Sequence, residues 1–255
     1  MTGKTPKSPI WIMGASQGIG EALALHAAHA GATVAISARS ADKLDAVAAK
    51  DGAGRIHPFP CDVMDKAAVE KTVDAIEEKF GPIGTAVLNA GTHKETPVDD
   101  FHAEDVEKIF SLNVFGTAIA LEVLMPRMVE RRAGHLALVS SVAGYRGLPR
   151  AAAYCGSKAA VIAMAESLKA ELDGRGVTMQ VICPGFVRTP LTDRNDFEMP
   201  YLMEPEDAAS RIWEGLKTDR FEIAFPRRFV LQLKTLRALP PAAYFPLIRR
   251  ATGIK

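Results

Sequence analysis

The sequence predicts an α/β fold, a doubly wound, mostly parallel sheet of seven strands with helices on both faces. Two observations carry this expectation. Short β-branched or apolar runs alternate with longer helical stretches, and every parallel crossover needs such a connecting element. At 255 residues, with 48% hydrophobic and 24% charged side chains, the chain also suits one large globular domain.

The expected strands are Ile10 to Met13, Thr33 to Ser37, Arg55 to Phe59, Thr85 to Leu88, Leu136 to Val139, Thr178 to Ile182 and Phe221 to Phe225. Between them, helical composition or apolar spacing marks Ile19 to Ala30, Ala41 to Lys50, Lys66 to Phe80, Ala103 to Glu130, Ala151 to Asp173 and Pro205 to Lys217. Sheets of this kind bind ligands at the carboxyl ends of their strands, so the residues that follow each strand carry the chemistry.

The first strand ends in Gly14-Ala15-Ser16-Gln17-Gly18-Ile19-Gly20. Its glycines leave room for a tight turn and a pyrophosphate, while the next helix offers free N–H groups and its positive dipole end to the anion. A dinucleotide fits such a turn, and a plain strand-to-helix connection is the alternative. The second strand ends in Ser37-Ala38-Arg39-Ser40. An acid there would bind the adenosine ribose hydroxyls and repel a 2′-phosphate, whereas Arg39 offers that phosphate a bidentate partner. NADP(H) is therefore favoured over NAD(H), which stays possible because Gln17 adds no second cation.

Tyr154 and Lys158 lie four apart in an Ala-rich helical run, so phenol and ammonium share one face. A lysine cation beside a phenol is expected to stabilise phenolate and lower its pKa from about 10, giving a usable acid and base. Ser141, at the end of the fifth strand, offers a hydroxyl to a substrate oxygen. A Tyr and Lys at this spacing are alone weak evidence; the upstream serine, the glycine-rich turn and Asn89-Ala90-Gly91 between them change that.

With these parts in this order, the chain resembles the short-chain dehydrogenase/reductase family from about residue 9 to 225. The resemblance implies a Rossmann-type domain over 1–225 and a metal-free catalytic set of Asn113, Ser141, Tyr154 and Lys158. It further implies that Lys158 binds the nicotinamide ribose and that Asn113 helps hold a water leading to solvent. By the same resemblance, Asp62 and Val63 contact the adenine, and Asn89, Ala90 and Gly91 lie beside its ribose. Pro184, Gly185, Val187 and Thr189 border the nicotinamide. Met13 and Leu88 stand where the family usually has Thr and Asn, which puts a side-chain link between those two regions in doubt.

The activity implied is interconversion of a ketone and a secondary alcohol on a small, apolar substrate. A silent dinucleotide-binding sensor and an isomerase using transient hydride transfer are the alternatives. Homodimers or homotetramers are common in the family, through its two long helices. Residues 190–204 read as a mobile lid with apolar members; His93 and Lys94 read as solvated loop residues, with a place in the lining of the same pocket as the alternative. A net charge of +1 gives no footprint for nucleic acid, and Cys61, Cys155 and Cys183 form neither a disulfide framework nor a zinc site. With a polar N-terminus and no export signal in view, a cytoplasmic location is expected.

The stretch 226–255 is basic and apolar together. After Glu222 it holds seven of the 31 cations and none of the 30 acids, so the rest of the chain is acidic by six charges. Lys234, Arg237 and Pro240, Pro241 and Pro246 prevent it from spanning a bilayer. It is expected either to dock peripherally at an anionic membrane surface or to cover the substrate pocket or a neighbouring subunit.

Overall fold

The computed structural model describes residues 6–194 and 197–253. Met1 to Thr5 of the N-terminus, Asn195 and Asp196 of the expected lid, and Ile254 and Lys255 of the tail lie outside the described residues.

Seven strands form one sheet: β1 (Ile10–Met13), β2 (Val34–Ser37), β3 (Ile56–Pro58), β4 (Thr85–Leu88), β5 (Gly134–Val139), β6 (Val177–Pro184) and β7 (Glu222–Phe225). Their order is β3-β2-β1-β4-β5-β6-β7, and every neighbouring pair is parallel. The order reverses between β1 and β4, which opens a crevice at their carboxyl ends.

Among the described residues nine α-helices accompany the strands. These are α1 (Gly18–His29), α2 (Ala41–Ala48), α3 (Lys66–Phe80), α4 (Ala103–Phe110), α5 (Gly116–Glu130), α6 (Ala152–Leu172), α7 (Pro205–Leu216), α8 (Arg227–Ala238) and α9 (Pro241–Thr252). The long helix expected over Ala103 to Glu130 is interrupted by a π-turn at Ser111–Phe115, which separates α4 from α5. This helical run is long and apolar enough to cross a membrane, but 44% of its apolar window is buried within the protein. Leu121 and Leu124 of α5 belong to the core.

Alternation along the strands divides that core into two layers. Trp11 and Met13 point to the side covered by α3, α5 and α6, where Val73, Leu124 and Val161 meet them. Ile10 and Ile12 point to the other side, against Leu23 of α1, Leu44 of α2 and Ile212 of α7.

The tail is not a loose appendage. Pro240 and Pro241 end α8 and start α9, since proline suits a first helical turn and fails inside one. Phe229, Val230 and Leu233 of α8 are buried in the same layer as the sheet, and Lys234 pairs with Glu222 of β7. Leu233→Ala should accordingly cost about 2–4 kcal/mol in urea unfolding. A loss under about 1 kcal/mol would mean that α8 packs no more firmly than a surface segment.

Candidate active site

The glycine-rich turn is closed by contacts that only main chain can make. Gly14 has φ +80, and a Cβ there would stand 2.7 Å from the Ala90 backbone; at Gly20 a Cβ would meet the Gly14 carbonyl at 2.3 Å. The Gly14 N–H donates to Ser37 O at 2.7 Å, and the Asn89 side-chain amide donates to Gly14 O at 2.7 Å. This last bond corrects the doubt raised by Met13 and Leu88. Both are core residues, and Asn89 supplies the link between the two strand ends in their place. Ser16, Ile19 and Gly18 edge the turn, with Gln17 exposed at the N-cap of α1.

Arg39 is exposed just beyond β2 and forms no ion pair among the described residues. Beside it, Lys43 in the first turn of α2 reaches Gln17, with Nζ 3.5 Å from Oε1. Sequence reading missed Lys43, because only the packing of α2 beside α1 brings it to this end of the crevice. Asp62 follows β3 and its carboxylate accepts the Met64 N–H at 3.0 Å, so it fixes a local turn, while Asp65 caps α3. Val63 is buried.

The catalytic candidates converge at the ends of β4 and β5. Ser141 is buried; its Oγ donates to Pro184 O at 3.3 Å and accepts the Ala143 N–H at 3.1 Å. The Lys158 ammonium, also buried, donates to Val139 O at 3.0 Å, while the Ser140 hydroxyl donates to Lys158 O at 2.7 Å. Asn113 is 1% exposed within the π-turn. Its Oδ1 accepts the Thr92 N–H at 2.7 Å, and its Nδ2 donates to Thr92 O and Ser157 Oγ, each at 3.0 Å. The amide thus bridges the loop after β4 to α6, and the Thr117 hydroxyl takes the Asn113 carbonyl.

Two expectations change here. Burial pushes the Tyr154 phenol up to about 12, with the Ser141 hydroxyl opposing it, and burial brings Lys158 down to about 8. The lysine does not lower the tyrosine, because its Nζ turns to Val139 O and stays 5.7 Å from the phenol ring centre. His93 follows the alternative reading and not the solvated one: it is half-buried with its ring edge against Tyr154, centroids 4.8 Å apart. Lys94 instead pairs with Asp105 outside the crevice.

Pro184 and Gly185 close the crevice opposite the glycine turn, and the Gly185 N–H donates to Phe225 O at 2.7 Å. Val187 is buried, and Thr189 leans over Gly18, where an added Cβ would meet its methyl at 2.9 Å. The ends of the expected lid are stitched together, since Arg188 N donates to Met203 O at 2.9 Å and Met203 N to Phe186 O at 3.0 Å. Ile19, Asn89, Gly91, Tyr154, Lys158 and Thr189 all line one cleft. No group of three His, Cys, Asp or Glu suited to a metal occurs among the described residues.

Comparison with known proteins bears on this arrangement. The family model described as short chain dehydrogenase matches residues 9–199. An uncharacterized oxidoreductase of Myxococcus xanthus is 36% identical over 241 residues, covering 94% of this chain and 95% of its own. The 3-oxoacyl-[acyl-carrier-protein] reductase FabG of Thermotoga maritima is 33% identical, covering 72% and 75%. Rat 17-beta-hydroxysteroid dehydrogenase 13 is 31% identical, covering 85% and 74%. A short chain dehydrogenase/reductase from Burkholderia phymatum, solved in complex with NAD, shares the fold with TM-score 0.81 at 24% identity, covering 92% of this chain and 94% of its own.

The depressed Lys158 pKa has a sign that can be measured. Between about 8 and 10.5 the unfolded chain holds the lysine proton that the folded chain has released. Stability therefore rises with pH across that window, and the gain is lost as pH falls through about 8. The unfolding free energy of wild type relative to Lys158→Met should increase by about 2 kcal/mol between roughly pH 7 and pH 10. Tyr154 titrates in both proteins and cancels, so a flat difference would mean that Lys158 is not desolvated.

Proposed function

The chain belongs to the short-chain dehydrogenase family, and on that premise we propose that it is an NADP(H)-dependent oxidoreductase that interconverts an apolar ketone and its secondary alcohol. The observation that carries this reading is the meeting of Ser141, Tyr154 and Lys158 in the cleft that the glycine-rich turn opens into. The residues fit a dinucleotide, because side chains are excluded at Gly14 and Gly20 and the N-terminus of α1 faces the same space. Arg39 and Lys43 support a 2′-phosphate at the adenosine end, and Asn89, Val187 and Thr189 suit the ribose and carboxamide contacts.

A bound nicotinamide dinucleotide supplies or accepts the hydride. The protein does the rest. Ser141 and Tyr154 donate hydrogen bonds to the carbonyl oxygen and so orient the carbon that changes hybridisation. A phenol held neutral up to about 12 keeps its proton ready for the alkoxide that forms on reduction. Lys158, a cation at neutral pH, lies 5.7 Å from the phenol ring centre and would hold the nicotinamide ribose. Two relatives carry names that describe reduction of an oxo group and oxidation of a hydroxyl, which fits either direction of this chemistry.

Phe186, Phe197, Tyr201 and Phe229 form an aromatic run beside the nicotinamide end, with centroid spacings of 5.6 to 5.9 Å, and favour an apolar substrate. Exposed Val98, Phe101 and Phe115 near α4 and α5 suit pairing into a homodimer or homotetramer. Three free, buried cysteines suit a reducing cytosol. A peripheral membrane contact draws support from Leu231, Phe245 and Leu247, exposed on the basic tail.

Purified protein should oxidise NADPH in the presence of some ketone in an absorbance screen. Tyr154→Phe should lower that rate by about a hundredfold to ten-thousandfold while cofactor binding persists. Near-normal turnover by the variant would assign the proton to another donor. NADPH should bind more tightly than NADH, and Arg39→Ala should weaken NADPH alone by roughly 1.5–3 kcal/mol in titration calorimetry. Equal affinity of wild type for both cofactors would remove the assignment of Arg39.

A further inference from the structure

Arg146 lies in the segment that joins Ser141 to Tyr154, yet its side chain turns away from both. Its Nη1 donates to three carbonyl oxygens at the end of α8, those of Leu236 at 2.8 Å, Arg237 at 3.0 Å and Leu239 at 2.7 Å. A helix ends with unpaired carbonyls and a partial negative charge, and a guanidinium satisfies both. The same guanidinium lies over the ring of Tyr244 in α9, 3.7 Å from its centroid, a cation–π contact. The Tyr244 hydroxyl in turn donates to Gly147 O. One residue earlier, Tyr145 donates to Glu222 at 2.7 Å, and Lys234 of α8 pairs with that carboxylate. Val142, Tyr145 and Leu148 face Leu233, Leu236 and Tyr244 across the narrow crevice so formed.

The other end of α8 lies against Gly185, which lines the cleft. Phe229 stacks on Phe186, centroids 5.6 Å apart and planes at 26°, and meets Tyr201 at 5.9 Å. Gln232 donates to the Tyr201 hydroxyl at 3.1 Å. Gly185 lies so close to Phe229 that an added Cβ would stand 3.0 Å from its ring. The helix therefore bridges two places, the catalytic segment at its end and the aromatic run at its start.

We propose that Arg146 is a positioning residue for substrate: by fastening α8 and α9 to the segment between Ser141 and Tyr154, it holds the Phe229, Phe186 and Tyr201 wall at a fixed distance from the reacting hydroxyls. This inference rests on the ketone reductase reading only for its kinetic consequence. The fastening itself is a property of the fold. None of these Arg146 contacts involves the glycine turn or Arg39, so cofactor affinity should not depend on it.

The test uses the full chain as wild type, Arg146→Met, Arg146→Lys and Tyr244→Phe. Hydrogen exchange followed by mass spectrometry should show faster exchange in 227–252 and 142–150 for Arg146→Met, with α1 and β1 unchanged. With the ketone found by screening, its KM should rise roughly tenfold or more while the NADPH dissociation constant stays at the wild-type value. Arg146→Lys keeps a cation near the same carbonyls and should recover part of the KM. Tyr244→Phe keeps the ring under the guanidinium and should have the smaller effect. Wild-type exchange in Arg146→Met would overturn the proposal, as would loosening of 227–252 with an unchanged ketone KM, or NADPH affinity falling in step with the ketone's. If no ketone is reduced by wild type, the functional reading fails, and the exchange data alone then uphold or overturn the fastening.

Discussion

The site depends on a reciprocal pair of hydrogen bonds between β5 and α6. The Lys158 ammonium donates to Val139 O, and the Ser140 hydroxyl donates to Lys158 O. These two bonds hold the helix that carries Tyr154 and Lys158 against the strand that delivers Ser141. A buried ammonium is costly unless its protons find acceptors. Val139 O, at the end of its strand, provides one acceptor. The lowered pKa of Lys158 and the raised pKa of Tyr154 record how much desolvation remains. The site is thus held by a group that is itself strained by burial, a common arrangement where chemistry needs a poised proton.

Asn113 extends the same construction to β4. A regular helix through residues 103–130 would continue one hydrogen-bond ladder, whereas the π-turn at Ser111–Phe115 widens it locally. The Asn113 carbonyl is then taken by the Thr117 hydroxyl, and its amide is committed to Thr92 and Ser157. The loop after β4, the catalytic helix and the long helix beside it become one unit. His93, next to Thr92, is carried with that loop to the edge of the Tyr154 ring.

The C-terminal helices show how an uneven charge distribution can be accommodated. Their buried side joins the sheet's apolar layer, and Lys234 meets Glu222. Arg227, Arg228, Arg237, Arg249 and Arg250 remain exposed, without ion pairs among the described residues. The cation that organises the tail is not in the tail at all. It is Arg146, presented from the catalytic segment to the carbonyl end of α8.

The sequence by itself determined the alternation of seven strands and their helices, the parallel sheet and the glycine turn after β1. It also marked Ser141, Tyr154 and Lys158 as one constellation. Each of these follows from spacing along a short stretch: strand alternation, a four-residue step on a helix, or backbone room that only glycine gives. The tertiary structure decided the rest. The Asn89 link to Gly14, the place of Lys43 beside Gln17, the committed amide of Asn113 and the reach of Arg146 to Leu239 join residues far apart in the chain. No local periodicity encodes such pairs. The direction of the Tyr154 shift likewise depends on how much water the folded chain removes from phenol and ammonium, and desolvation is a property of everything packed around them.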